Sequence, residues 1–369
     1  MTIPTLGTYT GRKLVTDLQS FGLQLGDDTS GIGRKGGAGP SDHKTITIAG
    51  HTVMVPVYTS GARHSPFQAS PPDQSGASTL LRDGQRLGTI HFPAAPRFYG
   101  RSTADGIPYW KIALLHGRDT LATTVHQTCI RYADRRTSCQ FCAIGQSLEA
   151  ERTIAYKTPA QLAEVAKAAV ELDGVRDMVL TTGTPNVIDR GAAVLAESAR
   201  AIKAAIDLPL QVQCEPPRDH NWFERLRDAG ADSLGMHLEA ATQAVREKIM
   251  PGKATVSVER YMEAFASAVP VFGRGQVNTY ILAGLGDSAE EILNLAERLI
   301  TLGVYPFVVP FVPISGTPLE QHTPPSADFM KSVLAPLGQM LRNANMKSTD
   351  IRAGCGRCGA CSSLSAYEA

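Results

Sequence analysis

Residues 158–185, TPAQLAEVAKAAVELDGVRDMVLTTGTP, carry one complete helix-and-strand unit. Thr158 offers a capping hydroxyl, Pro159 suits the first helical position, and residues 160–172 keep apolar side chains at helical spacing. Gly174 stops that helix, and 177–182 reads as a buried strand. Outward from this unit the same rhythm repeats. A first strand is predicted from Thr120, and further strands at 208–214, 233–237, 277–283 and 304–312. Helical spacing fills 190–206, 221–229, 258–268 and 289–302. Such alternation predicts a parallel sheet with crossover helices, an α/β fold. Six units fit an open doubly wound sheet or a partial (β/α)6 barrel of the TIM type. In both, ligands gather at the carboxyl ends of the strands.

The first ~115 residues read differently. Residues 12–21 are amphipathic, 26–42 are rich in Gly, Ser, Asp and Pro, and 44–57 and 87–92 alternate as strands do. Residues 59–78 read as a loop and a candidate lid, and 107–115 as a further strand. The expected organisation is a β-rich module over 1–118, the barrel over 119–325, and a C-terminal helix with a cysteine-rich tail over 326–369.

Composition narrows the classes of function. The chain has 369 residues, and its 36 Lys+Arg against 35 Asp+Glu leave a net charge of +1. No basic excess answers a phosphate backbone, so no nucleic-acid partner is expected. No run approaches the roughly 18 apolar residues of a membrane span, and the start does not read as a signal peptide. A cytoplasmic protein with no membrane partner is expected.

Six of the seven cysteines form two groups, Cys129/Cys139/Cys142 and Cys355/Cys358/Cys361. In a reducing compartment such clusters point to metal rather than to disulfides. Three thiolates suit either zinc, with His126 near enough to close a tetrahedron, or an iron–sulfur cluster with one open iron. The spacing alone leaves both open.

The run Cys139-Gln140-Phe141-Cys142, at the head of the strand–helix series, resembles the radical S-adenosylmethionine (SAM) superfamily. The usual C-x3-C-x2-C motif has an aromatic before its third cysteine; here the first gap is nine residues. The resemblance continues in order along the chain, in the manner of the biotin synthase branch. Thr181-Thr182-Gly183-Thr184-Pro185 falls where the family binds the SAM amino group, with Thr184 in place of a common acidic residue. His237 and Glu239 fall where the ribose is hydrogen-bonded, and Arg260 where an arginine pairs with the SAM carboxylate. Gly284 lies in the fifth-strand glycine motif, while Val312 and Pro313 begin the sixth-strand ending that touches adenine. The resemblance implies a [4Fe–4S] cluster on Cys129, Cys139 and Cys142 with SAM on the open iron. It implies reductive cleavage of SAM to a 5′-deoxyadenosyl radical that takes hydrogen from a small-molecule substrate, with flavodoxin or ferredoxin as electron donor. The N-terminal module is expected to cap that chemistry.

Gly354-Cys355-Gly356-Arg357-Cys358-Gly359-Ala360-Cys361 resembles a ferredoxin-type run lacking its fourth cysteine. It is read as a second iron–sulfur cluster, with a zinc knot or a redox-active tail as alternatives. Cys214 falls where biotin synthase has a ligand of its sulfur-donating cluster, but the companion cysteines are absent. It is read as a catalytic hydrogen donor facing substrate, or as a core cysteine. The whole chain looks like the radical SAM proteins encoded beside a nitrilase in bacterial nitrile- and cyanide-linked gene clusters, which implies a small polar substrate. The rival readings are sulfur insertion from the tail cluster, and a non-catalytic zinc-stabilised barrel that acts as an interaction protein.

Overall fold

The computed structural model describes residues 11–26 and 42–368. Helix Gly11–Phe21 turns Leu14, Val15 and Leu18 inward. Then come β1 (Gln24–Leu25), β2 (His43–Ile48), β3 (His51–Pro56), β4 (Phe67–Ala69), β5 (Ala77–Arg82) and β6 (Gln85–His91). They make one sheet in the order β1-β4-β5-β6-β2-β3. The alternation read at 44–57 is the β2–β3 hairpin, with Ile46 opposite Val53 and both side chains buried. The stretch read as a loop and lid, 59–78, instead contains β4 and the start of β5. Phe67 and Ala69 supply the buried face of β4, and only the turns between the strands keep the Pro/Ser character. Most of the Gly/Ser-rich run lies outside the described residues.

The second sheet holds β7 (Leu114–His116), β8 (Thr120–Thr124), β9 (Asp177–Thr181), β10 (Leu210–Gln213), β11 (Ser233–Gly235), β12 (Val277–Ala283) and β13 (Val304–Pro310). Its spatial order follows the chain, and β8 to β13 run parallel to one another. The result is an α/β fold with a curled half-barrel sheet. The strand read at 107–115 is corrected. Pro108 opens a helical turn over Tyr109–Ile112, and the strand begins only at Leu114, running antiparallel to β8. Local chemistry sets the crossover helices. Thr158 and Gln161 exchange side-chain-to-backbone hydrogen bonds before Pro159–Asp173, and Gly174 ends that helix at φ 65°. Ser288 and Glu291 do the same before Ala289–Leu302.

After helix Ala327–Asn343 the tail folds beneath the barrel, against the starts of its strands. Gly354 N–H donates to the Asp177 carboxylate, Cys355 N–H to Gln211 Oε1 (3.1 Å), and the Ser233 hydroxyl to Ala353 O (2.7 Å). Arg357 pairs with Asp119 at 3.0 Å and Asp177 at 2.8 Å. The N-terminal module docks on this tail: Met54 N–H donates to Ala360 O (2.8 Å), and Lys331 pairs with Asp17 (2.9 Å). The module therefore reaches the cavity from the tail end, where Gln19, His43 and Met54 line it. Among the described residues no helix is long and apolar enough to cross a membrane.

Candidate functional site: one cavity with cysteines at both ends

The segment after β8 carries the first cysteine group. Val125 N–H still follows the ladder, donating to Thr181 O at 2.8 Å, and the chain then leaves the sheet. The nine-residue gap is a compact turn, in which Thr137 and Ser138 N–H both donate to Asp134 O. The turn is anchored from outside by Gly252 N–H to Thr137 O (3.0 Å) and Gln140 N–H to Ile249 O (2.8 Å). A Cβ on Gly252 would lie 2.3 Å from Thr137 O, so that docking needs a glycine. The longer gap therefore costs little order, since its residues bond to each other and to the barrel.

Cys129, Cys139 and Cys142 face a cavity of about 400 Å³ that runs down the barrel interior. Cys355, Cys358 and Cys361 face its other end, below the strand starts. β9 is five residues long, so the two ends stand about 15 Å apart. Cys214, His237, Gln213 and Tyr280 line the same cavity, the last two hydrogen-bonded to Cys355 Sγ. Burial pushes the Cys142, Cys214 and Cys358 thiols up to about 12, and Cys139 higher still. Metal binding at these thiols must displace their protons.

The donor sets bear on what they hold. Among the described residues no three His, Cys, Asp or Glu side chains converge closely enough for a single metal ion. Each group offers three soft sulfur donors to the cavity, a set that zinc and an iron–sulfur cluster both accept. His126, whose Nδ1 lies 3.1 Å from both Thr128 O and Thr128 Oγ1, is not among the residues lining the cavity.

Of the other residues read from the sequence, Phe141, Gly183, Thr184, His237, Glu239 and Val312 line the cavity. Gly183 has a packing reason as well: a Cβ there would fall 2.1 Å from Thr128 O, in the cysteine loop. The Thr184 hydroxyl donates to Glu215 Oε1 at 2.7 Å, and its carbonyl accepts from Ile130 N–H. His237 Nδ1 accepts from Tyr280 N–H at 3.2 Å, which leaves the Nε2 proton without a partner in the described structure. Burial and the Lys253 charge pull the imidazole down to about 3, so it is neutral.

Four residues read from the sequence do not line the cavity: Pro185, Arg260, Gly284 and Pro313. Arg260 is corrected outright. On helix Val258–Phe272 the inward positions are Val258, Tyr261, Met262 and Phe265, so Arg260 points out and pairs with Glu263. Gly284 packs on Pro325 and gives its carbonyl to His322 Nε2 (2.8 Å).

The cations lining the cavity are Arg131 and Lys253, with Arg190 behind Glu215. Lys253 pairs with Glu239 at 2.9 Å. Arg131 and Arg190 both pair with Glu215, Arg190 at 2.9 Å. Sequence reasoning missed all three. Their only signal was a long, polar side chain in or beside the loops at strand ends. His116, Gln213 and Tyr280 were also missed. They sit within strands whose inward face the sequence pattern does not distinguish when both faces are buried.

The chain is similar to several known proteins. The family model described as the radical SAM superfamily matches residues 134–299. The bacteriochlorophyllide c C-7(1)-hydroxylase of Chlorobaculum limnaeum is 26% identical over 288 residues, covering 73% of this chain and 71% of that protein. The dual-specificity RNA methyltransferase RlmN of Solidesulfovibrio magneticus is 30% identical over 136 residues, 35% of this chain and 37% of its own length. A crystal structure of methylornithine synthase superposes with a TM-score of 0.49 at 18% identity, covering 67% of this chain and 69% of that one.

Proposed function

We propose that this chain, an enzyme of the radical SAM family, acts on a small polar metabolite held between two iron–sulfur sites in the barrel cavity. The observation that carries the reading is a single cavity with a thiolate triplet at each end and polar side chains lining it. Bound at the upper triplet, a [4Fe–4S] cluster and SAM supply a one-electron cleavage that yields a 5′-deoxyadenosyl radical able to abstract hydrogen. Cys129, Cys139 and Cys142 hold that cluster, with Phe141 packed beside them. Glu239, with Lys253 behind it, and His237 through its Nε2 proton offer hydrogen bonds to SAM or substrate. Gly183 lets the cysteine loop lie close to β9, and Val312 gives an apolar wall for the adenine.

Cys214 lines the same cavity, and burial holds its thiol protonated. A neutral S–H is the form that gives up a hydrogen atom, which supports the reading of Cys214 as a donor to a substrate radical. Cys355, Cys358 and Cys361 hold the second iron–sulfur cluster at the cavity floor. The segment over 1–118, the barrel over 119–325 and the tail over 326–369 act as one unit: the first meets the barrel directly through β7 and the Tyr109–Glu164 hydrogen bond, and meets the tail through Met54.

The cavity and the near-neutral charge favour a small molecule over RNA. The nitrilase-linked resemblance favours a small polar substrate such as an amino acid or a nitrile precursor. The test is anaerobic reconstitution of the full chain followed by reaction with SAM and dithionite. Formation of 5′-deoxyadenosine and methionine supports the reading, and a zinc-bound, iron-free protein with neither product overturns it.

A further inference from the structure

Resting on the reading of an iron–sulfur cluster at the tail, we infer that His116 is its fourth protein ligand, making a closed Cys3His set. β7 delivers this residue to the cavity floor. Its antiparallel pairing places His116 opposite Thr120, at the start of β8, directly over the tail. His116 Nδ1 lies 3.5 Å from Cys358 Sγ, and its Nε2 lies 3.7 Å from Cys361 Sγ. The imidazole is therefore packed beside two of the three sulfurs, where a cluster held by those sulfurs would present an iron to it. One ring nitrogen binds iron, and the other keeps its proton and faces a cysteine sulfur.

The neighbouring turn is shaped for this approach. Gly117 has φ 59°, and a Cβ there would lie 2.6 Å from Cys358 Sγ and 3.2 Å from the Ala360 Cβ. Any side chain would push the tail away from His116. The third cysteine is held from the opposite wall: Gln213 Nε2 donates to Cys355 Sγ at 3.1 Å, and the Tyr280 side chain hydrogen-bonds the same sulfur. The two walls thus bring one imidazole and three thiols to the cavity floor.

The consequence is a functional distinction between the two ends. The upper triplet leaves an iron open, whereas a Cys3His set leaves none. The lower cluster then neither ligates substrate nor offers an open iron to it. Substrate is held instead by the side chains lining the cavity.

The experiment uses full-length Cys139→Ala protein, reconstituted anaerobically without SAM, with its histidines labelled with nitrogen-15. This variant is expected to retain iron at the tail only. Pulsed EPR of the reduced sample is expected to show a histidine nitrogen coupling that changes with the isotope and is lost in Cys139→Ala/His116→Ala. Adding His116→Cys instead should retain the iron, abolish the nitrogen coupling and lower the reduction potential, since imidazole ligation raises it. Wild-type protein without SAM allows the same comparison should Cys139→Ala fail to fold. Tail iron with no nitrogen coupling, or a coupling that survives His116→Ala, overturns the assignment of His116 alone. No iron at the tail overturns it together with the second-cluster reading.

Discussion

Lys253 Nζ lies 2.9 Å from Glu239 Oε2, and both side chains are largely buried at the cavity wall. Glu239 holds a backbone φ of 67°, which a non-glycine residue adopts at a cost. The ion pair and the neighbouring ladder bonds hold it there: Glu239 N–H donates to Tyr280 O (2.9 Å), and its carbonyl accepts from Leu282 N–H (2.8 Å). This strand-end kink turns the carboxylate into the cavity beside Cys139.

Lys253→Met leaves that carboxylate buried without its cation. Loss of one partner of a buried pair costs on the order of 3 kcal/mol. Urea denaturation of the metal-free protein should show a loss of that size. Lys253→Met/Glu239→Gln should recover most of it, because no uncompensated charge remains. A single variant as stable as wild type would mean the pair is solvated and does not shape the site.

Gly117→Ala tests how tightly the tail is seated. The substitution adds left-handed backbone strain of about 1–2 kcal/mol and sets a methyl group 2.6 Å from Cys358 Sγ. Iron at the tail should fall by more than half while the upper cluster is unchanged. Iron and sulfide analysis in a Cys139→Ala background reads the tail alone. Undiminished iron there would show that the turn does not have to admit the cysteine.

Lys157 gives a pH dependence. Its ammonium is buried, donating to Thr124 O (2.7 Å) and Ile154 O (3.1 Å) at the root of the cysteine loop, and burial pulls its pKa down to about 7. The unfolded chain keeps a lysine near the ordinary value of about 10.4. Between those values the unfolded state binds more protons, so the stability contribution of Lys157 rises with pH from about 7 to about 10. The difference in unfolding free energy between wild type and Lys157→Met should grow in favour of wild type across that window, by a few kcal/mol. A flat or falling difference would contradict the assignment.

The barrel was legible from sequence because local and global signals agree there. The caps at Thr158 and Ser288 and the apolar runs at 177–182 and 277–283 all point to alternating helix and strand. The first sheet was harder to read. β4 and β5 are short and lie among Ser, Pro and Gly, and their pairing is a tertiary fact that periodicity does not carry. The site divides in the same way. Contiguous motifs brought Cys129, Cys139, Cys142, His237 and Glu239 to the cavity. Arg260 was placed by motif order, and the face of its helix decided otherwise. His116 meets the tail across a chain separation of 242 residues to Cys358, which no local pattern reports.

The most direct measurement compares wild type, Cys139→Ala and Cys358→Ala for 5′-deoxyadenosine formed from SAM and dithionite, alongside iron content. The predicted result is product from wild type, none from Cys139→Ala, and retained SAM cleavage with reduced iron from Cys358→Ala. Full deoxyadenosine formation by Cys139→Ala would contradict the assignment of the upper cluster, and with it the proposed chemistry.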